Sequence, residues 1–256
     1  MVVFLGIAGV RSTYRTRPNI ASGSSMGRVI AIGDIHGCAA ALRAVLAEVQ
    51  PTADDILVPL GDYVDRGPDS RGVIETLLEL ETTCQLRPLK GNHEIMLLEA
   101  VARPDIAGPW LDCGGEATVA SYGGELAAIP PEHLALIRRC RPYFETATHL
   151  FFHANYQFDL TPAEQPDFIL YWEHLHYRQP RPHDSGKIVV VGHSSQRSGE
   201  ILDLGHVVCI DTYCHGGGWL TALDVLSGTI WQADRAGNRR IPLGPVRPFP
   251  PGISDV

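Results

Sequence analysis

An α/β fold with two sheets is what this sequence predicts, and three observations carry the prediction. The first hundred residues run through the order strand, polar loop, helix three times. The later half returns to apolar, β-branched runs separated by turn residues. And 45% of the 256 residues are hydrophobic against 20% charged, enough apolar material for one large domain with a real core.

The elements follow in order. "RVIAIGD" (28–34) is an apolar run ending in Gly-Asp, the pattern of a buried strand. "CAAALRAVLAEV" (38–49) then places Leu42, Val45, Leu46 and Val49 at helical spacing. "DILVPLGD" (55–62) is a second strand and "SRGVIETLLEL" (70–80) a second helix; "CQLRPLKGNHE" (84–94) closes a third strand and "EIMLLEAVA" (94–102) opens a third helix. Strand, loop and helix in alternation predict parallel strands with crossover helices. The middle differs: "GPWLDCGGEATVASYGGE" (108–125) carries glycine pairs around a short helical stretch, and "PPEHLALIRRC" (130–140) is a helix with Pro near its start. "HLFFHAN", "KIVVVGH" and "HVVCIDT" bring strands back, and "WLTALDVLSGTIWQA" (219–233) reads as a closing hairpin around Ser-Gly. Adjacent strands of this kind predict a second, largely antiparallel sheet.

Composition narrows the function. The formal charge is −8, so a broad nucleic-acid-binding face is not expected, because phosphate backbones are held mainly by Lys and Arg. Binding one phosphate at a focused site is compatible with it, above all beside metal cations. No apolar run approaches membrane-spanning length. The six cysteines contain no CxxC pair and read as reduced thiols of a cytoplasmic protein. Residues 1–26 are expected to be a flexible extension, or to lie upstream of a true start at Met26; 27–235 form the domain; the proline-rich 236–256 form a tail.

The polar residues that stand where strands run out are the candidates for chemistry. Strand one ends in "GDIHG", with Asp34 and His36; strand two in "GDYVDRG", with Asp62, Asp65 and Arg66; strand three in "GNHE", with Asn92 and His93. "FFHAN" adds His153 and "VVGH" adds His193. Ligands of α/β sheets gather outside the carboxyl ends of strands, so these side chains are expected to converge. Carboxylates, imidazoles and an amide make an oxygen and nitrogen donor set suited to divalent Mn, Fe, Zn or Mg; the absence of Cys ligands argues against a closed structural zinc site. A lone Gly-Asp-x-His is a common turn, and a lone buried His is usually a satisfied core residue. Three such motifs in order, each ending a strand, are a different matter.

"GDIHG", "GDYVDRG" and "GNHE", about thirty residues apart, closely resemble the signature of the phosphoprotein phosphatases among the calcineurin-like metallophosphoesterases. "GDIHGC" and "WLDCGGEATVASYGG" (110–124) are similar to segments of the bacterial serine/threonine phosphatase branch. The resemblance covers about residues 28–233. It implies two mixed β-sheets packed as a sandwich flanked by helices, a four-layer αββα fold. It implies two divalent metal ions, one held by Asp34, His36 and Asp62, the second by Asp62, Asn92, His153 and His193, with manganese the working choice. Two cations sharing one carboxylate can also share a hydroxide and clamp an in-line displacement. It further implies that His93 is the general acid, oriented by Asp65, and that Arg66 and Asn92 bind phosphate.

Two departures stand out. Asn155 follows "HA" where the family usually has glycine. And "FILYWEHLHYRQPRP" shows Glu173 and His174 where a second phosphate-binding Arg is common; Arg178 or Arg181 could substitute. His174, His176 and His183 read as solvated loop residues, with a substrate rim as the alternative. Trp110, Ser121 and Tyr122 read as a small satellite core, with pocket lining as the alternative. Cys38 reads as packing, and His215 with Gly216–Gly218 as a tight turn. The expected substrate is a phosphorylated protein or a small phosphoester. Diadenosine tetraphosphate is the second expectation, and a metal-binding interaction module with little turnover the third.

Overall fold

The computed structural model describes residues 27–240; the expectations for 1–26 and for 241–256 fall outside the described residues. β1 (Val29–Ile32), β2 (Ile56–Pro59) and β3 (Gln85–Leu86) pair in parallel in that order. α1 (Ala39–Val49) and α2 (Ser70–Leu80) make the crossovers, and α3 (Asn92–Ala102) follows β3. The glycine-bordered middle forms α4 (Gly108–Trp110) and α5 (Glu116–Ser121), joined through a widened turn at 111–115 where Gly114 takes φ 111°. α6 (Pro131–Arg139) then leads to the second sheet.

That sheet contains β4 (Tyr143–Glu145), β5 (His149–Phe152), β6 (Ile188–Val191), β7 (Leu202–Asp203) and β8 (Val207–Cys209), in the order β4-β5-β6-β8-β7. The largely antiparallel arrangement expected from sequence is corrected here. The central strands β5, β6 and β8 are parallel, and only the edges β4 and β7 run against them. The reason is the long link 153–187, which includes α7 (Asp167–Tyr171) and is ample for a crossover that returns the chain in the same direction. The expected hairpin, β9 (Leu220–Asp224) and β10 (Ile230–Ala233), joins the first sheet instead: β9 runs antiparallel to β1. β11 (Arg239–Arg240) extends it by pairing with β10, so the sheet takes in the start of the segment expected as a tail. Both sheets are mixed.

Period-two alternation assigns each strand residue to a layer. Ile30 and Ile32 pack outward with Leu42, Val45, Ile74 and Leu77 of the helices. Val29 and Ala31 face inward and meet Phe151, Val190 and Val208 of the second sheet. The other face of that sheet, Leu150, Phe152, Val189 and Val191, packs against Leu170, Tyr171 and Tyr156. Its cover is α7 and irregular chain, thinner than the helical layer over the first sheet.

The position of Phe151, fully buried between the sheets, makes a direct test. Phe151→Ala is expected to lower unfolding free energy by about 3–5 kcal/mol in urea titration, whereas Tyr177→Ala, at a side chain 75% exposed, is expected to stay within about 0.5 kcal/mol. A loss under about 1 kcal/mol at Phe151 would mean that the two sheets do not share this core.

Candidate metal centre

The loops that leave β1, β2, β5 and β6 meet at one edge of the two sheets, and they fit only because backbone comes very close to side chain. A Cβ on Gly192 would stand 2.0 Å from Asp34 Oδ1, and one on Gly91 would stand 2.2 Å from Asp62 Oδ1. Both Asp34 carboxylate oxygens accept the backbone N–H of His193, at 3.1 and 2.9 Å, so the first and sixth strands are tied at the site. His36, Asp62, Asp65, Arg66, His193 and Tyr213 all take φ between 45° and 74°, the left-handed region that costs a side-chain-bearing residue on the order of 1 kcal/mol or more.

Asp62 lies at the centre. Its Oδ2 is 3.4 Å from His36 Nε2, and its Oδ1 is 3.4 Å from His153 Nε2. The imidazoles are fixed by what their other nitrogens do. His36 Nδ1 is 3.0 Å from the Val64 carbonyl and His153 Nδ1 is 2.8 Å from the Leu60 carbonyl. A carbonyl only accepts, so each Nδ1 carries hydrogen, and in the neutral ring Nε2 presents a lone pair. Asn92 Oδ1 also points at His153 Nε2, 3.0 Å away. On the His153 side lone pairs therefore face lone pairs, an arrangement that a cation would satisfy. On the other side the His36 Nε2 lone pair faces Asp62 and Arg66, and Asp62 Oδ1 also accepts the His93 backbone N–H at 3.1 Å. His193 presents the opposite nitrogen: its Nε2 is 3.3 Å from the Trp172 carbonyl, which leaves the Nδ1 lone pair free to ligate a cation. Two ligand groups share Asp62: His36, Asp62 and His93 on one side, Asp62, His153 and His193 on the other.

The electrostatics agree. Burial raises the pKa of Asp62, but His153, His93, His36 and His193 more than offset it and hold the carboxyl well below its usual range. Asp34 is pushed up by burial and by the carboxylates of Asp211 and Asp62. Burial drives His36 down, and His193 down to about 3. Buried imidazoles kept neutral are in the form that ligates metal.

His93 Nδ1 donates to Asp65 Oδ2 at 2.6 Å, while its Nε2 turns toward Asp62 Oδ2 at 4.0 Å. Burial opposes charge on His93, yet Asp62 and Asp65 raise its pKa above the ordinary value. Asp65 is itself immobilised: Trp110 Nε1 donates to it at 2.8 Å and Thr118 Oγ1 at 2.6 Å. Trp110 thus supports Asp65 from within the core, and it does not line the pocket. Arg66 Nη1 donates to His36 Nε2 at 2.8 Å, the nitrogen that would otherwise face a cation.

Glu94 was missed at the level of sequence, although it completes "GNHE". It is fully buried, and its carboxylate accepts three backbone N–H groups: Asp62 and Tyr63 at 2.8 Å, and Gly91 at 2.9 Å. Burial and Asp62 push its pKa up to about 7. Successive helical residues point about 100° apart, so the first turn of α3 sends Asn92 to His153, His93 to Asp65 and Glu94 to the loop of Asp62. A clue was available in sequence: an acid at the third helical position is a helix-start signal.

The remaining candidates separate. A cavity of about 830 Å³ opens over the centre, lined by Arg66, His174, His176 and Arg197 among others. His174 lies flat on His193, ring centroids 4.1 Å apart. Arg178 is tied to Glu173 at 2.5 Å and to the Tyr156 carbonyl at 3.0 Å, and Arg181 lies over Phe158; neither lines the cavity. Asn155 accounts for part of this, its Nδ2 donating to Glu173 at 2.8 Å and to the Arg178 carbonyl at 3.0 Å. His183 is buried between Ser185 and the Leu160 carbonyl, and Tyr122 bonds His133. Cys38 is a core thiol.

A family model described as calcineurin-like phosphoesterase matches residues 27–225. Serine/threonine-protein phosphatase 1 of Salmonella typhimurium is 37% identical over 133 residues, 49% of this chain and 57% of that protein. A symmetrical bis(5'-nucleosyl)-tetraphosphatase of Acidovorax sp. is 44% identical over 71 residues, 27% of this chain and 24% of that protein. The matched stretch thus spans less than two thirds of either relative. Among solved structures, a cold-active protein-tyrosine phosphatase of a psychrophilic Shewanella superposes with TM-score 0.60 at 16% identity, over 84% of this chain and 80% of that one, a likeness of fold.

The Glu94 clamp generates a test that needs no turnover. Gln at this position has one acceptor oxygen and an amide that faces N–H donors, so Glu94→Gln is expected to cost about 1–3 kcal/mol of unfolding free energy, measured in urea. Wild-type stability would show that the three amides find other acceptors.

Proposed function

Since the chain belongs to the calcineurin-like phosphoesterase family, we propose that it is a metal-dependent phosphatase of phosphomonoesters, with phosphoserine and phosphothreonine proteins as its first substrates. The observation that carries the reading is the convergence of buried imidazole and carboxylate ligand atoms on both sides of Asp62, next to the buried His93–Asp65 pair. Asp34, His36 and Asp62 would hold one divalent cation, and Asp62, Asn92, His153 and His193 the other. The donor set suits manganese as the working metal, with Fe, Zn or Mg alternatives. When bound, such ions supply a water of lowered pKa and neutralise charge on the phosphoryl group.

The chain's own residues do the rest. Arg66 gives up its bond to His36 Nε2 and turns its planar fork to the phosphate oxygens, assisted by the Asn92 amide. His93 delivers the proton on Nε2 to the departing alkoxide, while Asp65 holds Nδ1 and stabilises the charged ring. Trp110 and Thr118 keep Asp65 from turning away. Unpaired cysteines and the bacterial sources of the named relatives support a bacterial, cytoplasmic setting. The intact His93, Asp65 and Arg66 argue against a module without turnover.

A second reading, hydrolysis of dinucleoside polyphosphates, is favoured by the tetraphosphatase relative and by a cavity larger than one phosphate needs. Parallel rates on a phosphoserine peptide and on diadenosine tetraphosphate, in manganese, decide between them.

Two variants test the mechanism. Asp62→Asn is expected to abolish turnover and weaken metal retention, checked by metal analysis after dialysis; an active, fully loaded variant would sink the shared-carboxylate arrangement. His93→Asn is expected to depress kcat by about 10²–10⁴-fold on a phosphoserine peptide, and by clearly less on p-nitrophenyl phosphate, whose leaving group needs no proton. Equal losses on both would contradict the acid role.

A further inference from the structure

Arg197 stands at the cavity wall, exposed and without a carboxylate partner among the described residues. Among the described residues no ion pair is made by Arg66 or by Arg197, and both guanidiniums line the same cavity, in which Asp62 is the one lining carboxylate. That is a local inversion of sign in a chain whose formal charge is −8. The contrast with Arg178, bound to Glu173, is direct: one cation of this region is spent on structure and the other is left to solvent.

The segment that carries Arg197 is held in place. Ser195 Oγ donates to Asp211 Oδ2 at 2.6 Å, Gln196 N to the Asp211 carbonyl at 2.8 Å, and Gly199 N to the Gln196 carbonyl at 2.9 Å. The Arg197 guanidinium carbon lies 5.7 Å from the centre of the Tyr213 ring, a supporting contact that leaves its N–H fork unspent. Tyr213 touches His215 at 4.9 Å between ring centroids, and His215 touches His36 at 4.7 Å. An unbroken row of rings thus runs from His36, to which Arg66 donates, out to Arg197.

We infer that Arg197 binds a second anionic group of the substrate, beside the phosphoryl group assigned to Arg66 and the Asp62 centre. This rests on the phosphatase reading and adds a substrate class to it. In a phosphomonoester everything but the phosphoryl group departs, so the second anion belongs to the leaving group. A carboxylate of an acidic residue flanking the phosphorylated serine meets the requirement; a nucleotide polyphosphate, an anhydride instead of a monoester, offers the same charge as a further phosphate beside the scissile bond. Both fit a planar fork.

The test compares two phosphoserine peptides that differ only in flanking glutamates against glutamines, with diadenosine tetraphosphate and p-nitrophenyl phosphate alongside, all on manganese-loaded protein. Wild type is expected to prefer the glutamate peptide by about three- to tenfold in kcat/KM. Arg197→Ala is expected to bring that ratio to about one, Arg197→Lys to retain part of it, and Arg197→Glu to invert it. A merely structural role would lower both peptides together and leave the ratio where it was. If the peptide ratio is flat but the rate on diadenosine tetraphosphate relative to p-nitrophenyl phosphate falls across the Arg197 series, the bound anion is a phosphate. Turnover with neither ratio moving overturns the inference alone. Wild-type protein that hydrolyses none of the four substrates overturns the phosphatase reading and this one with it.

Discussion

One buried carboxylate organises the edge where the two sheets meet. Asp62 is 2% exposed, at the floor of the cavity, and its two oxygens look toward different imidazoles. Those imidazoles direct their Nδ1–H groups at backbone carbonyls, so it is Nε2 lone pairs that they turn toward Asp62. Burying such a set without positive charge is costly. The arrangement is intelligible as one half of a cation site, and the acid neighbours Asp34 and Asp211, both driven up by burial, share the same need for positive charge.

Holding acceptors against one another takes structure elsewhere. Six of the site's residues take left-handed backbone conformations without being glycine, and such strain persists only where surroundings over-determine it. Here the surroundings can be named. Glu94 gathers three amides of the Asp62 and Gly91 loops. Thr118 and Ser70 accept the Asp65 N–H at 2.8 and 3.1 Å, and the Gly114 carbonyl accepts the Arg66 N–H at 3.0 Å. The widened turn at Gly114 has a use in this light: a Cβ there would come within 2.7 Å of Arg66 Cγ.

The same economy separates the arginines. Asn155, where the family pattern leads one to expect glycine, bonds the 173–178 segment through Glu173 and the Arg178 carbonyl. That contact consumes Arg178 and presents His174 flat against His193. Among the cavity-lining residues positive charge besides Arg66 then falls to Arg197, on the loop after β6 instead of the segment before it.

The three strand, loop and helix repeats, the site motifs and their order were legible in sequence, because period-two and period-3.6 patterns and glycine-bounded polar triplets are local. Asp34, His36, Asp62, Asp65, Arg66, Asn92, His93, His153 and His193 all come to one edge, as strand ends should. What sequence could not decide is whatever depends on which strand lies beside which. The second sheet is parallel at its centre, and the closing hairpin joins β1, because register and direction are set by crossover length and inter-sheet packing that no local pattern encodes. Trp110 and Thr118 reach Asp65 across about fifty residues, and Arg178 and Arg197 are alike as letters. Only the tertiary contacts, a carboxylate beside one and a bare cavity wall beside the other, tell them apart.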